Sequence, residues 1–179
     1  MKKNVLSVLT TILIVVGIVA NAQDLEKEYS NKYFSLRYPS SWQIIQDDNR
    51  ATETTVISLQ IMQQQLNDYD YRPNINIIVS ATKWIEPTSY LARQTADNNK
   101  KLLPNYVEIN ITNDVKIDGN KGSLLSILWE YQGFKMRGDQ YIVKKADNTT
   151  FIITATTDNA KYQKQSAVIK KILDSIVIK

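Results

Sequence analysis

Neither histidine nor cysteine occurs in the 179 residues, which removes more chemistry than any motif in the chain supplies. Ser-His-Asp and Cys-His nucleophilic sites need an imidazole, and the usual zinc sites need imidazole or thiolate ligands, so all are excluded. A carboxylate pair of glycosidase type, or a Ser-Lys pair, is still open, but none of the 18 acids sits in a recognisable motif. The five glycines, at 17, 119, 122, 133 and 138, form no phosphate-cradling loop. No catalytic residue, cofactor or metal is therefore nominated, and the chain reads as non-enzymatic.

Binding chemistry is better represented. Asn67-Asp68-Tyr69-Asp70 gathers oxygen ligands but lacks the spacing and glycine of a calcium loop, so a solvated loop is the favoured reading. The same segment carries Tyr69, Tyr71 and Arg72, residue types that contribute disproportionately to interfaces, and is the best candidate for a partner-binding tip. Lys135, Arg137 and Lys145 share one side of a strand and offer a second, basic surface for acidic partners or lipid headgroups. Asp139 weakens that field, and a solvated sheet surface is the competing explanation. Trp42, Trp84 and Trp129 lie in or beside strands, where core packing is the default. Two of them lining a cleft would instead give a carbohydrate or apolar ligand a surface to stack on.

The elements that must position these residues alternate strand and turn. Tyr33 to Tyr38 and Trp42 to Ile45 flank the turn Pro39-Ser40-Ser41, and Thr54 to Met62 is a β-branched strand. Gln63 to Pro73 has no period and reads as a loop; Asn74 to Trp84 is again strand-like. A helix runs between Pro87 and Leu103, with Leu91, Thr95, Asn98 and Leu102 as a thin apolar stripe. From Tyr106 to Ile117 apolar and polar residues alternate, predicting a half-buried strand that ends at Asp118-Gly119. Turns at Gln132-Gly133 and Asp147-Asn148 then separate Leu124 to Tyr131, Phe134 to Lys145 and Thr149 to Thr157, which completes a four-stranded antiparallel meander. Leu124 to Tyr131 is apolar on both faces, as a strand covered on each side would be. Asp158 or Asn159 caps a last helix presenting Tyr162, Ser166, Ile169 and Leu173, and Ser175 to Lys179 finishes as a short strand.

Residues 1–22 read as a cleavable signal peptide: Lys2 and Lys3, an apolar run from Val5 to Ala20, then Ala20-Asn21-Ala22. The run is short for a membrane span, and no basic cluster follows it. Residues 23–32 read as a flexible leader and 33–179 as one α+β domain. With Lys2 and Lys3 removed, the formal charge falls from +4 to +2, too balanced to suggest nucleic acid. Without cysteine, stability rests on core burial and sheet pairing.

The run Tyr33-Phe34-Ser35-Leu36-Arg37-Tyr38-Pro39-Ser40-Ser41-Trp42 resembles the opening of the PsbP-like family, which includes PsbP and DcrB proteins: an aromatic, an alternating strand, then Tyr-Pro-x-x-Trp. The order of elements is similar across nearly the whole chain after the leader. The resemblance implies a central antiparallel sheet flanked by helices on both faces, an α/β/α sandwich. It also implies a non-catalytic module that docks onto other proteins, as members do on membrane complexes in photosynthetic organisms and on a small GTPase in the nucleus. Metal contacts described for some members use histidine and do not carry over. The expectation is an exported, monomeric binding or accessory module for a cell-envelope protein, not integral to the membrane. The alternative is a soluble periplasmic carrier of a small apolar or sugar ligand, in a pocket between sheet and helix that Trp84 or Trp129 would line.

Overall fold

The computed structural model describes residues 24–48, 55–64, 71–80 and 82–179. Ten strands, two α-helices and one short 3-10 turn build it. β1 (Lys27–Ser30), β2 (Phe34–Tyr38) and the terminal β10 (Val177–Ile178) form a three-stranded antiparallel sheet in the order β1-β2-β10. β3 (Trp42–Asp48), β4 (Thr55–Gln63), β5 (Asn74–Ser80), β6 (Val107–Ile117), β7 (Asn120–Tyr131), β8 (Phe134–Lys144) and β9 (Thr150–Asp158) form a seven-stranded antiparallel sheet in the order β3-β4-β5-β9-β8-β7-β6. Helices α1 (Thr88–Leu102) and α2 (Tyr162–Asp174) lie on opposite faces of the large sheet, giving the α+β sandwich expected from the sequence.

The principal core lies between the large sheet and the layer made by α2 and the small sheet. Leu59, Ile61, Ile75, Ile77, Val79, Phe151 and Ile153 come from one side; Phe34, Leu36, Ile169, Ile172, Leu173 and Ile178 come from the other. Trp42 is fully buried among them. Phe34 meets Phe151 edge to face at 6.5 Å, an arrangement the ring quadrupoles favour. The smaller core under α1 joins Leu91, Ala92 and Ala96 to Leu125, Ile127 and Ile142.

The meander forms as its turns dictate. Asp118-Gly119 and Gln132-Gly133 each hold positive φ at both residues, the type I′ geometry whose twist suits a two-residue hairpin.

Four local expectations are corrected. Residues 27–30 of the leader form β1, because Tyr29 packs on Phe34 at 5.8 Å and the Lys27 ammonium donates to the carbonyls of Ser40 and Trp42. The buried stripe of α1 is Leu91, Ala92 and Ala96, whereas Asn98 and Leu102 face solvent; the two alanines let the helix approach the sheet closely. The alternation of β6 is interrupted by register shifts at Ile109 and Asp114, so Ile111 packs toward α1 while Ile117 joins the core under α2. Finally, β7 is covered on one face and only in part on the other: Leu125 and Ile127 are buried under α1, whereas beside α2 Gly122 and Ser126 are buried but Leu124 and Leu128 are half-buried.

Candidate functional site

Strand β8 presents Arg137, Asp139 and Tyr141 on the face covered in part by α2, and β9 aligns Thr157 opposite Arg137 and Ala155 opposite Asp139. The helix supplies Tyr162, Ser166, Lys170 and Asp174 along one stripe, consistent with a repeat of 3.6 residues. Between them runs a cleft of about 350 Å³, floored by Ile117, Ala155, Ile169 and Leu173 and edged by Lys116, Lys170 and Asp174. Its polar end is a connected cluster. Ser126 donates to Asp139 Oδ1 at 2.7 Å and the Tyr162 hydroxyl donates to Oδ2 at 2.9 Å. Arg137 approaches the same carboxylate at 3.8 Å and lays its guanidinium over the Tyr162 ring, 3.7 Å from the centroid. Thr157 donates to the Gln165 side-chain oxygen beside them. Arg137 Nε is buried without a hydrogen-bond partner.

The environment favours neutral phenols. Burial, followed by the charge of Asp139, pushes the Tyr141 hydroxyl up to about 12, and burial and Asp139 also raise Tyr162. Neither tyrosine is therefore poised as a nucleophile or base near neutral pH. Asp139 is compensated by two hydroxyl donors and a guanidinium, an arrangement that fixes the cluster rather than freeing it to react. What the cleft offers chemically is an apolar floor with hydroxyl and carboxylate groups at one end.

Of the residues singled out in the sequence, Arg137 belongs to this cluster and not to a solvated basic strip. Lys135 is exposed and pairs across the hairpin with Glu130, and Lys145 donates to the backbone carbonyl of Lys179, so the three cations do not act as one patch. Tyr71 is packed rather than displayed at a tip: its ring lies 6.2 Å from that of Phe134, its hydroxyl accepts from Asn74 Nδ2 at 2.8 Å, and burial raises its pKa. Arg72 is half-buried beside it, and its carbonyl accepts from the same amide. Tyr69, with Asn67, Asp68 and Asp70, lies outside the described residues, as do residues 1–22. No tryptophan lines the cleft. Trp42 is core; Trp84 donates to Ser80 Oγ and packs by Leu91 and Ile142; Trp129 lies over Gly138 on the opposite face. Among the described residues no group of three or more carboxylates gathers as a metal site, and no helix is long and apolar enough to cross a membrane. The sequence reading passes over Ser126 and Tyr141, and places Tyr162 on a helical face without a role in a site. The available signal is the alternation Arg137-x-Asp139-x-Tyr141 along one face of β8.

No protein-family model and no curated protein matches the sequence. Solved structures do. LpqN of Mycobacterium tuberculosis, described as involved in cell envelope biogenesis, superposes with a TM-score of 0.61 at 15% identity, over 86% of this chain and 91% of its own. The cyanobacterial PsbP of Synechocystis sp. PCC 6803 gives 0.57 at 12% identity, over 86% and 92%. The Saccharomyces cerevisiae Ran-binding protein Mog1p gives 0.56 at 5% identity, over 85% and 94%. At these identities the likeness speaks for architecture alone: the chain has the PsbP-like fold, shared with LpqN and Mog1p.

Proposed function

We propose that this chain is an exported, non-enzymatic binding module that docks onto a protein or complex of the cell envelope. The observation that carries this reading is a corner of the molecule where α1 ends, β6 begins and β7 ends. Leu102, Val107, Ile109 and Tyr131 stand 77%, 53%, 43% and 52% exposed on these adjoining segments, and the register sets Val107 beside Leu128 on the α2 face and Tyr131 on the α1 face, so they flank this end of the sheet from both sides. The register shift at Ile109 turns that residue out of the alternation that would have buried it. Grouped apolar exposure of this kind costs solubility and is characteristic of surfaces that meet a partner. The N-terminal leader supports export, and the fold is one that in LpqN and Mog1p is described through an envelope role and through protein binding.

The test is chemical crosslinking and pull-down from envelope extracts, comparing the native chain with a Leu102→Asp/Val107→Asp variant. The reading expects one partner enriched by the native chain and lost with the variant. Equal enrichment by both, or none above a scrambled-surface control, would count against it. A second reading, a carrier of a small apolar ligand, is favoured by the cleft under α2. It expects a rise in Tm with ligand by mass action, abolished by Ala155→Trp, which fills the floor.

A further inference from the structure

The face of the large sheet that carries α1 is covered only over β6, β7 and β8. On the rest of that face the cross-strand register sets side chains in rows. One row reads Gln60 on β4, Asn76 on β5, Thr154 on β9 and Gln140 on β8, each the direct partner of the next. The adjacent row reads Met62, Asn74, Thr156 and Gly138. Gln60, Asn76, Thr154 and Gln140 all keep part of their surface accessible, although their backbones lie on interior strands; nothing described covers them.

Three features set this face apart from the ordinary wet side of an antiparallel sheet, which needs only to be polar. First, neither row carries a charge, in a chain where 22% of residues are charged. Second, part of its hydrogen-bonding capacity is unspent: Gln60 donates to Asn74 Oδ1, and Asn74, itself buried, donates to the Tyr71 hydroxyl, but the middle of the first row is free. The side chains of Asn76, Thr154 and Gln140 bond to no described residue, and Asn76 Oδ1 is sheltered from solvent without a partner. Third, aromatic rings border it. Trp129 lies over Gly138, where a Cβ would come within 2.8 Å of the indole, and Tyr71 is tied to Asn74 through its hydroxyl.

We propose that this row is a binding site for an uncharged glycan. A carboxamide offers both donors and an acceptor, and a threonine hydroxyl offers both functions, which is the complement of sugar hydroxyls that donate and accept in turn. The absence of charge selects against acidic ligands and against highly charged protein surfaces. Successive row positions recur at the strand spacing of about 4.8 Å, so four of them present a regular track about 14 Å long for consecutive sugar units. Trp129 at the β8 end offers an aromatic surface of the type that walls ligand pockets. The polar row of this site lies on β4, β5, β9 and β8, apart from the docking corner at the end of α1 and the start of β6, and does not depend on it.

The test is titration of the native chain with cellotetraose, N-acetylated chitotetraose and xylotetraose, followed by calorimetry and by backbone-amide NMR shifts, with trigalacturonate as the charged comparison. Gln140→Glu and Asn76→Asp, made separately, change charge with little change of shape; a Tm within a few degrees of native identifies the folded variants. The proposal expects saturable binding of at least one neutral tetrasaccharide, shifts centred on Asn76, Thr154 and Gln140, and at least tenfold weaker binding in each folded variant. Thr154→Val, a third variant without new charge, should weaken binding about threefold or more. No saturable binding by any of the three, equal binding of trigalacturonate, or native affinity in the variants would overturn it. The corner variant Leu102→Asp/Val107→Asp should bind sugar normally, so failure here and failure of the docking reading are separable.

Discussion

Single residues set two closely packed points of the structure. Trp42 follows the turn Pro39-Ser40-Ser41 and disappears wholly into the core, its Nε1 left without a partner. Because that nitrogen contributes no bond, Trp42→Phe should cost mainly packing, about 1–2 kcal/mol, whereas Trp42→Ala should cost about 3–5 kcal/mol in denaturant unfolding. Gly138 lies under the Trp129 ring, with Ile127 also in contact range of a Cβ. Gly138→Ala should therefore destabilise by about 1–3 kcal/mol and shift the tryptophan emission, the overpacking cost of one methyl in a closed site. Tyr141 supplies a pH signature. Its folded pKa, near 12, lies above the ordinary value of 10.0, so the folded state holds its proton more tightly than the unfolded state does. The resulting stability is fully present below pH 10 and is lost as the pH rises from 10 to 12. Tyr71, Tyr106 and Tyr162 are raised in the same direction. Tyr141→Phe should flatten the alkaline fall in Tm, and an unchanged slope would contradict the burial assigned to this hydroxyl.

At the scale of elements, β6 shows how one residue redirects a strand. Asp114 sits in the left-handed region, φ 60°, at one of the two register shifts. Asp114→Gly should leave stability equal or slightly higher, while Asp114→Val should lower it by about 1–2 kcal/mol, as read from urea midpoints. The strand itself was legible, because alternation over Tyr106 to Ile117 has no helical alternative. The bulges were not: an inserted residue leaves residue types unchanged and alters only which face each one joins. A similar limit applies to α1. A stripe drawn through large side chains passes over Ala92 and Ala96, which are buried because they are small enough to let the helix settle on Leu125 and Ile127. The hairpins at Asp118-Gly119 and Gln132-Gly133 were legible down to the turn residues, since positive φ selects those types. The cleft was half legible. Tyr162, Ser166, Ile169 and Leu173 stand out as a helical face, but their meeting with Asp139 and Ser126 depends on how β7, β8 and α2 align, which no local pattern encodes.

For the whole molecule, the sheet divides its two faces unevenly. One face is closed by α2 and the small sheet over β4, β5 and β9 and opens into the cleft toward β6; the other is closed by α1 over β6 to β8 and left open over β4, β5 and β9. Each half of the sheet is thus covered once, and the uncovered halves, with the apolar corner at Val107, are where the fold meets its surroundings. The central claim is that this corner is a docking surface. The most direct measurement places a photoreactive phenylalanine analogue at Val107 in the full chain and irradiates intact cells. The account predicts a discrete adduct with one envelope protein, absent when the same analogue replaces Lys164 on the solvent side of α2. No adduct from Val107, or the same adducts from both positions, would contradict it.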